Sequence, residues 1–170
     1  MRIGLLSIDH IDEPHRSLGG DYADRYDALF RAAGVDLVHH DGQAEALPVP
    51  SSCDGWIVPG SRESVYDDID WIRRLEAWIV GAFEADATLL GVCFGHQLIA
   101  QALGGRVERA EIGWNMGVID YEVVAQPNWL APLPERFGLL ASHQDQVIEL
   151  PAGSELLASA ATCPLAAYTI

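Results

Sequence analysis

The chain has 170 residues, roughly half of them apolar, and a formal net charge of -15 with no lysine. That length suits one well-buried domain. No apolar run approaches the roughly 20 residues of a membrane span, and so acidic a surface repels nucleic acid and anionic lipid, which are bound through cations. A globular protein without nucleic-acid or membrane partners is expected.

The N-terminus turns acidic at Asp9 without the long apolar core of a secretory signal. Cys53, Cys93 and Cys163 are odd in number and far apart, which suits a reducing compartment better than a disulfide framework. Both features predict a cytoplasmic location.

In chain order, Arg2 to Ile8 reads as a first strand and Asp21 to Ala33 as a helix with Tyr22, Tyr26, Leu29, Phe30 and Ala33 on one face, stopped by Gly34. Asp36 to His40 is a second strand. Its His39-His40 pair has no cysteine or carboxylate at metal-ligand spacing and reads as a solvated strand end. Gly55 to Val58 is a third strand ending at Pro59-Gly60-Ser61.

The acidic run Asp67-Asp68-Ile69-Asp70 leads into a second helix, with Asp70 as N-cap and Ile72, Leu75, Trp78, Ile79, Ala82 and Phe83 at helical spacing. Thr88 to Val92 is a short apolar run of the kind expected for a central parallel strand buried on both faces. Helical character returns from Phe94 to Leu103 and ends at Gly104-Gly105.

The rest is strand-rich, with candidates at Val107 to Arg109, Val118 to Val124, Leu139 to Ala141, Val147 to Leu150, Leu156 to Ser159 and Ala166 to Ile170. Gln126 to Pro134 reads as a surface loop. The alternation predicts an α/β fold with a mostly parallel central sheet and helices on both faces.

Gly91-Val92-Cys93-Phe94-Gly95-His96-Gln97 places a cysteine where a buried strand meets a helix. Such a turn needs small neighbours, here Gly91 and Gly95, and exposes its central side chain at the carboxyl edge of the sheet, where α/β folds bind ligands. A helix N-terminus also favours the thiolate. A lone cysteine is more often a buried packing residue; two glycines at elbow spacing after an apolar strand favour a nucleophile.

This segment resembles the nucleophile motif of class I glutamine amidotransferases, glycine-x-cysteine-x-glycine-x-glutamine. Val58 to Asp67 resembles the family's oxyanion loop, especially in its GMP-synthase-like branch, and Gly104 to Val107 with Glu111 to Trp114 resembles the segment after the elbow helix. Ser142-His143-Gln144-Asp145 resembles the loop that closes over bound glutamine. The resemblance covers essentially the whole chain and implies a flavodoxin-like amidotransferase domain over residues 1–170, with no cofactor and no metal.

It implies Cys93 as nucleophile, oxyanion donors from Phe94 and from Gly60 or Ser61, and substrate binding by Gln97, Ser142, His143, Gln144 and Asp145. His96, beside the cysteine in sequence, is expected to point into packing, since a base must reach the proton it takes. The implied substrate is glutamine or a γ-glutamyl compound, and the implied partner a synthetase or other ammonia-accepting enzyme.

The family completes its catalytic set with a later histidine-proline-glutamate segment. None of the histidines at 10, 15, 39, 40, 96 and 143 begins one. The expectation is a domain truncated at its C-terminus and weakly active as it stands. The competing expectations are a γ-glutamyl peptidase, which Gly104 to Val107 and Asn115-Met116-Gly117 also resemble, and a non-catalytic glutamine-binding module.

Overall fold

The computed structural model describes residues 1–170, and its first strand, β1 (Ile3–Ser7), lies inside a parallel sheet. After β1 come a single-turn helix α1 (Glu13–Arg16), helix α2 (Tyr22–Ala32), β2 (Leu37–Asp41), β3 (Gly55–Val58), α3 (Asp70–Glu84), β4 (Leu89–Gly91) and α4 (Phe94–Ala102). The four strands stand in the order β2-β1-β3-β4, all parallel, with Ile3 opposite both Leu37 and Gly55 and Val58 opposite Gly91.

Contacts gather into two compact units, Met1–Ala102 and Leu103–Ile170. In the first, β1 to β2 and β3 to β4 step in opposite directions along the sheet. Right-handed crossovers therefore send α2 and α3 to opposite faces. Helix α2 contacts β1 and β2, while α4 packs on α3, β3 and β4.

The core of this unit is apolar and dense, with Leu5, Leu6, Ile57, Val58, Ile72, Leu75, Ile79, Phe94 and Leu98 fully buried. Trp56 and Trp78 meet edge to face at 5.2 Å. Their indole N–H groups donate to the carbonyls of Pro50 and Pro48 at 2.8 and 2.6 Å, which pins the long β2–β3 connection to the body.

Several sequence expectations shift. Asp70 is the first helical residue of α3 and not its cap, because Ile69 holds the extended backbone that precedes the helix. Asp70 still places its charge in the first turn, where the helix dipole favours it. β4, expected in the centre of the sheet, is its edge strand, and Leu90 is 49% exposed.

Of the two adjacent histidines, His39 meets Asp27 of α2 at 2.9 Å. His40 is not at a solvated end: its ring packs 5.2 Å from Trp56, and its Nε2 is buried without a hydrogen-bond partner. Burial, then Arg2 and His39, lower its pKa from the ordinary histidine value.

The second unit contains β5 (Arg106–Arg109), β6 (Asn115–Val123), β7 (Arg136–His143), β8 (Asp145–Glu149), β9 (Glu155–Ala160) and β10 (Cys163–Thr169). It forms an antiparallel sheet in the order β10-β9-β6-β7 and a two-stranded β5-β8 sheet. All six strand candidates are present and mostly longer than expected, because pairing extends past each apolar kernel: β6 and β7 are in register from Asn115↔His143 to Glu122↔Arg136. Gln146 ties β8 to the β9–β10 turn by donating to the Thr162 carbonyl at 2.6 Å.

Asp21 anchors the start of α2. It forms a capping box with Asp24 and also accepts from the Ile11 amide at 2.8 Å and pairs with His10 at 2.8 Å and Arg16 at 3.2 Å. Partial burial alone would raise its pKa; the bonds from Ile11, His10 and Tyr22 and the charge of Arg16 outweigh that and bring it to about 2.

A carboxyl whose folded pKa lies below its unfolded value stabilises the fold above the unfolded value and loses that contribution as pH falls through the folded one. Asp21→Ala is expected to cost about 1–2 kcal/mol at neutral pH, after allowing for solvent screening, with the difference from wild type vanishing as pH falls from about 4 to 2. Urea unfolding at several pH values measures this.

Candidate active site

Because β3 and β4 are neighbouring parallel strands, the residues leaving their carboxyl ends run side by side. Pro59-Gly60-Ser61 leaves β3, and Val92-Cys93-Phe94 leaves β4 and enters α4. Cys93 has φ +53, a left-handed conformation that side-chain-bearing residues seldom adopt. Its side chain is exposed.

The turn has two steric requirements. A Cβ on Gly91 would lie 2.5 Å from the Gly95 carbonyl oxygen, and one on Gly95 would collide with the Val58 carbonyl oxygen. The glycines let α4 begin directly against β3. Backbone bonds then hold the turn: the amides of Val92 and Gly95 donate to Val58 and Pro59 at 2.9 and 3.0 Å, and the Gln97 amide donates to the Cys93 carbonyl at 3.0 Å.

Gly60 faces this turn, since a Cβ built on it would stand 3.6 Å from the Cβ of Cys93. Ser61 follows in the same loop. Phe94, next to the thiol, buries its ring against Trp71 at 5.6 Å, and its amide is not a donor in the bonds that hold the turn. Gln97 is buried one turn into α4, and His96 is half-buried beside it. The N-terminal unit therefore brings together Cys93, Gly60, Ser61, Phe94 and Gln97.

The other candidates lie in the second unit. The sequence Ser142-His143-Gln144-Asp145 was expected as a loop; instead Ser142 and His143 end β7, Asp145 begins β8, and only Gln144 lies between. Strand pairing on both sides, His143 with Asn115 and Asp145 with Arg109, leaves one residue for the connection. The Gln144 carbonyl accepts from Ala110 at 2.7 Å.

Ser142 is exposed and Asp145 buried. His143 Nδ1 lies 3.0 Å from the Asp145 carbonyl, which can only accept, so the proton sits on Nδ1. Nε2 faces the Asn115 amide at 3.4 Å. Both ring nitrogens are engaged. No group of three or more His, Cys, Asp or Glu side chains could hold a metal ion, and no helix is long and apolar enough to cross a membrane.

Sequence reading missed two neighbours of the turn. Tyr26, read only as part of a helix face, has its phenol pKa raised by burial first and by the Cys93 sulfur second, so α2 brings it near the thiol. Asp9 and Arg62, separated by 53 positions, are joined through several hydrogen bonds. No local pattern announces a pair at that separation.

The sequence model of class I glutamine amidotransferases matches residues 26–168. The chain belongs to this family. Amidotransferase relatives include γ-glutamyl peptidase 4 of Arabidopsis thaliana, 31% identical over 159 residues that span 91% of this chain and 60% of the relative. The glutamine-hydrolysing GMP synthase of Thermomicrobium roseum is 37% identical over 151 residues, 88% of this chain and 27% of that protein. The chain thus spans 60% or less of these relatives.

A solved glutamine amidotransferase from Thermotoga maritima superposes with a TM-score of 0.82 at 16% identity, covering 99% of this chain and 71% of that one, which shows the shared fold. The expected α/β architecture and the GMP-synthase-like resemblance both hold.

The turn's geometry predicts a sharp contrast between two glycines. Gly95→Ala, facing a backbone carbonyl that cannot move without breaking β3, is expected to cost more than about 3 kcal/mol or to prevent folding. Gly81→Ala, at an exposed position of α3 where no atom outside the helix's own backbone lies within 4 Å of the new Cβ, is expected to stabilise by about 0.5–1 kcal/mol. Urea midpoints followed by circular dichroism report both.

Proposed function

We propose that this amidotransferase domain cleaves γ-glutamyl amides through a covalent thioester on Cys93. The observation that carries the reading is the exposed thiol, held at a left-handed turn with Gly60 beside it. The Cys93 thiolate attacks the side-chain amide carbon of glutamine. Negative charge then develops on the former carbonyl oxygen, and two main-chain N–H groups, from Phe94 and from Gly60 or Ser61, stabilise it. Collapse of the tetrahedral intermediate breaks the carbon–nitrogen bond as a proton from solvent, equivalent to the one the thiol gave up, reaches the leaving nitrogen, so that neutral ammonia departs and a γ-glutamyl thioester remains. Water then releases glutamate.

Gln97, Ser142, His143, Gln144 and Asp145 are assigned to holding the glutamine. His143 takes part by shaping that segment and not by proton abstraction, because Nδ1 is bonded to the Asp145 carbonyl and Nε2 faces the Asn115 amide. Ammonia released in this way would serve a synthetase or other acceptor enzyme, as the GMP synthase relatives suggest. A second reading, cleavage of γ-glutamyl peptides, is favoured by the similarity to γ-glutamyl peptidase 4 over 91% of this chain. Its chemistry differs only in the leaving amine.

Incubation with glutamine or a γ-glutamyl dipeptide, followed by acid quench and intact-mass measurement, is expected to reveal a γ-glutamyl thioester. Cys93→Ala is expected to lose it and to lower product release at least about tenfold, to the level seen without protein. Ammonia from glutamine supports the first reading, and an intact amine from the dipeptide supports the second. Equal product release by Cys93→Ala and wild type contradicts both.

A further inference from the structure

A main-chain oxyanion donor works only if its peptide plane is fixed before the charge develops. Gly60 and Ser61 lie in a loop outside β3, so something beyond the sheet must hold them. Two anchors are visible. Downstream, Val65 is fully buried and its carbonyl accepts from Gln101 of α4 at 3.0 Å, while the Ser64 amide donates to Asp67 at 2.8 Å.

The anchor adjoining the donors is Asp9, just beyond the end of β1, the strand beside β3. Its carboxylate accepts the main-chain amide of Arg62 at 2.9 Å and the Arg62 Nε at 3.1 and 3.2 Å, with Nη2 also 3.1 Å away. Nη2 donates onward to the His10 carbonyl at 2.8 Å and lies 3.7 Å from Asp12. The Asp9 side chain is only 13% exposed, so these bonds are partly shielded from competing water.

We propose that Asp9 is a positioning residue for the oxyanion loop, acting through the main-chain amide of Arg62. Fixing that N–H fixes the Ser61–Arg62 peptide plane and limits rotation of the preceding one, which carries the Ser61 amide. The Arg62 guanidinium is a strut against the β1 end and not a substrate-binding cation, since Asp9 and Asp12 already compensate its charge. This assignment rests on the reading of Cys93 as nucleophile.

The test uses the nitrile obtained by dehydrating the glutamine side-chain amide. When the Cys93 thiol adds to it, a sulfur–carbon bond forms, one carbon–nitrogen π bond breaks, and the thiol proton passes to nitrogen, where negative charge first develops. The thioimidate adduct carries the whole mass of the nitrile. Iodoacetamide alkylates the same thiol by displacing iodide and places no charge in the oxyanion site.

Asp9→Ala and the isosteric Asp9→Asn are expected to slow nitrile addition by on the order of tenfold or more while changing iodoacetamide alkylation by less than about twofold. Arg62→Ala keeps its main-chain bond to Asp9 and is expected to slow nitrile addition less than Asp9→Ala does. Circular dichroism checks folding, and Asp9→Asn decides the matter if Asp9→Ala does not fold.

Nitrile addition at the wild-type rate in both Asp9 variants overturns the assignment. A larger loss in Arg62→Ala than in Asp9→Ala overturns it too, and makes the guanidinium itself the functional group. If iodoacetamide modifies wild-type Cys93 but the nitrile does not, the nucleophile reading fails, and the positioning role fails with it.

Discussion

Cys93, at the turn where β4 meets α4, holds a left-handed backbone that fixes how the two elements join. A cysteine at φ +53 is strained, by about 1–3 kcal/mol for a residue of this kind, and persists only where its surroundings leave it no alternative. Here the surroundings are Gly91, Gly95 and the Val58 carbonyl, packed so closely that no Cβ fits at either glycine. Relaxing the turn would pull the start of α4 off β3 and uncover Phe94 and Leu98, which are fully buried. Burial of such side chains is worth roughly 1.5–3 kcal/mol each, enough to hold the strain.

That constraint also sets what meets at the carboxyl edge of the sheet. Parallel pairing of Val58 with Gly91 sends two loops out of the same sheet edge, so Cys93 and Gly60 become neighbours. A third loop, after β1, reaches the same edge and carries Asp9 to Arg62. Asp21 then links that loop to the first turn of α2 through Ile11 and His10. A chain of polar contacts thus runs from a helix cap to the loop beside the thiol. In the second unit, His143, Gln144 and Asp145 are held by strand pairing on either side, which gives that segment a fixed backbone of its own.

Much of this was legible in the residues. The elbow could be read from Gly91, Cys93 and Gly95 because a tight turn's demand for small neighbours is local, and β3 matched its expected span because Gly55 to Val58 is an apolar kernel bounded by turn residues. Position within the sheet was less accessible. An apolar run at residues 88–92 says that the strand avoids water but not which neighbours it has, and β4 lies at the edge. The His39-His40 pair shows the same limit, since Trp56 and Asp27 reach it from other elements. Asp9 with Arg62 was invisible for the corresponding reason: the contact is made by topology, between loops that only strand order brings together.

In the proposed reaction, charge developing on a group attacked by Cys93 falls between the amide after the thiol and an amide of the neighbouring loop. A crystal structure of the protein reacted with the nitrile analogue of glutamine shows where that charge is held. Continuous density is expected from the Cys93 sulfur to the adduct, with the former nitrile nitrogen about 2.7–3.1 Å from the Phe94 amide and from the Gly60 or Ser61 amide. An adduct whose nitrogen faces solvent, or one attached to Cys53 or Cys163, would contradict it.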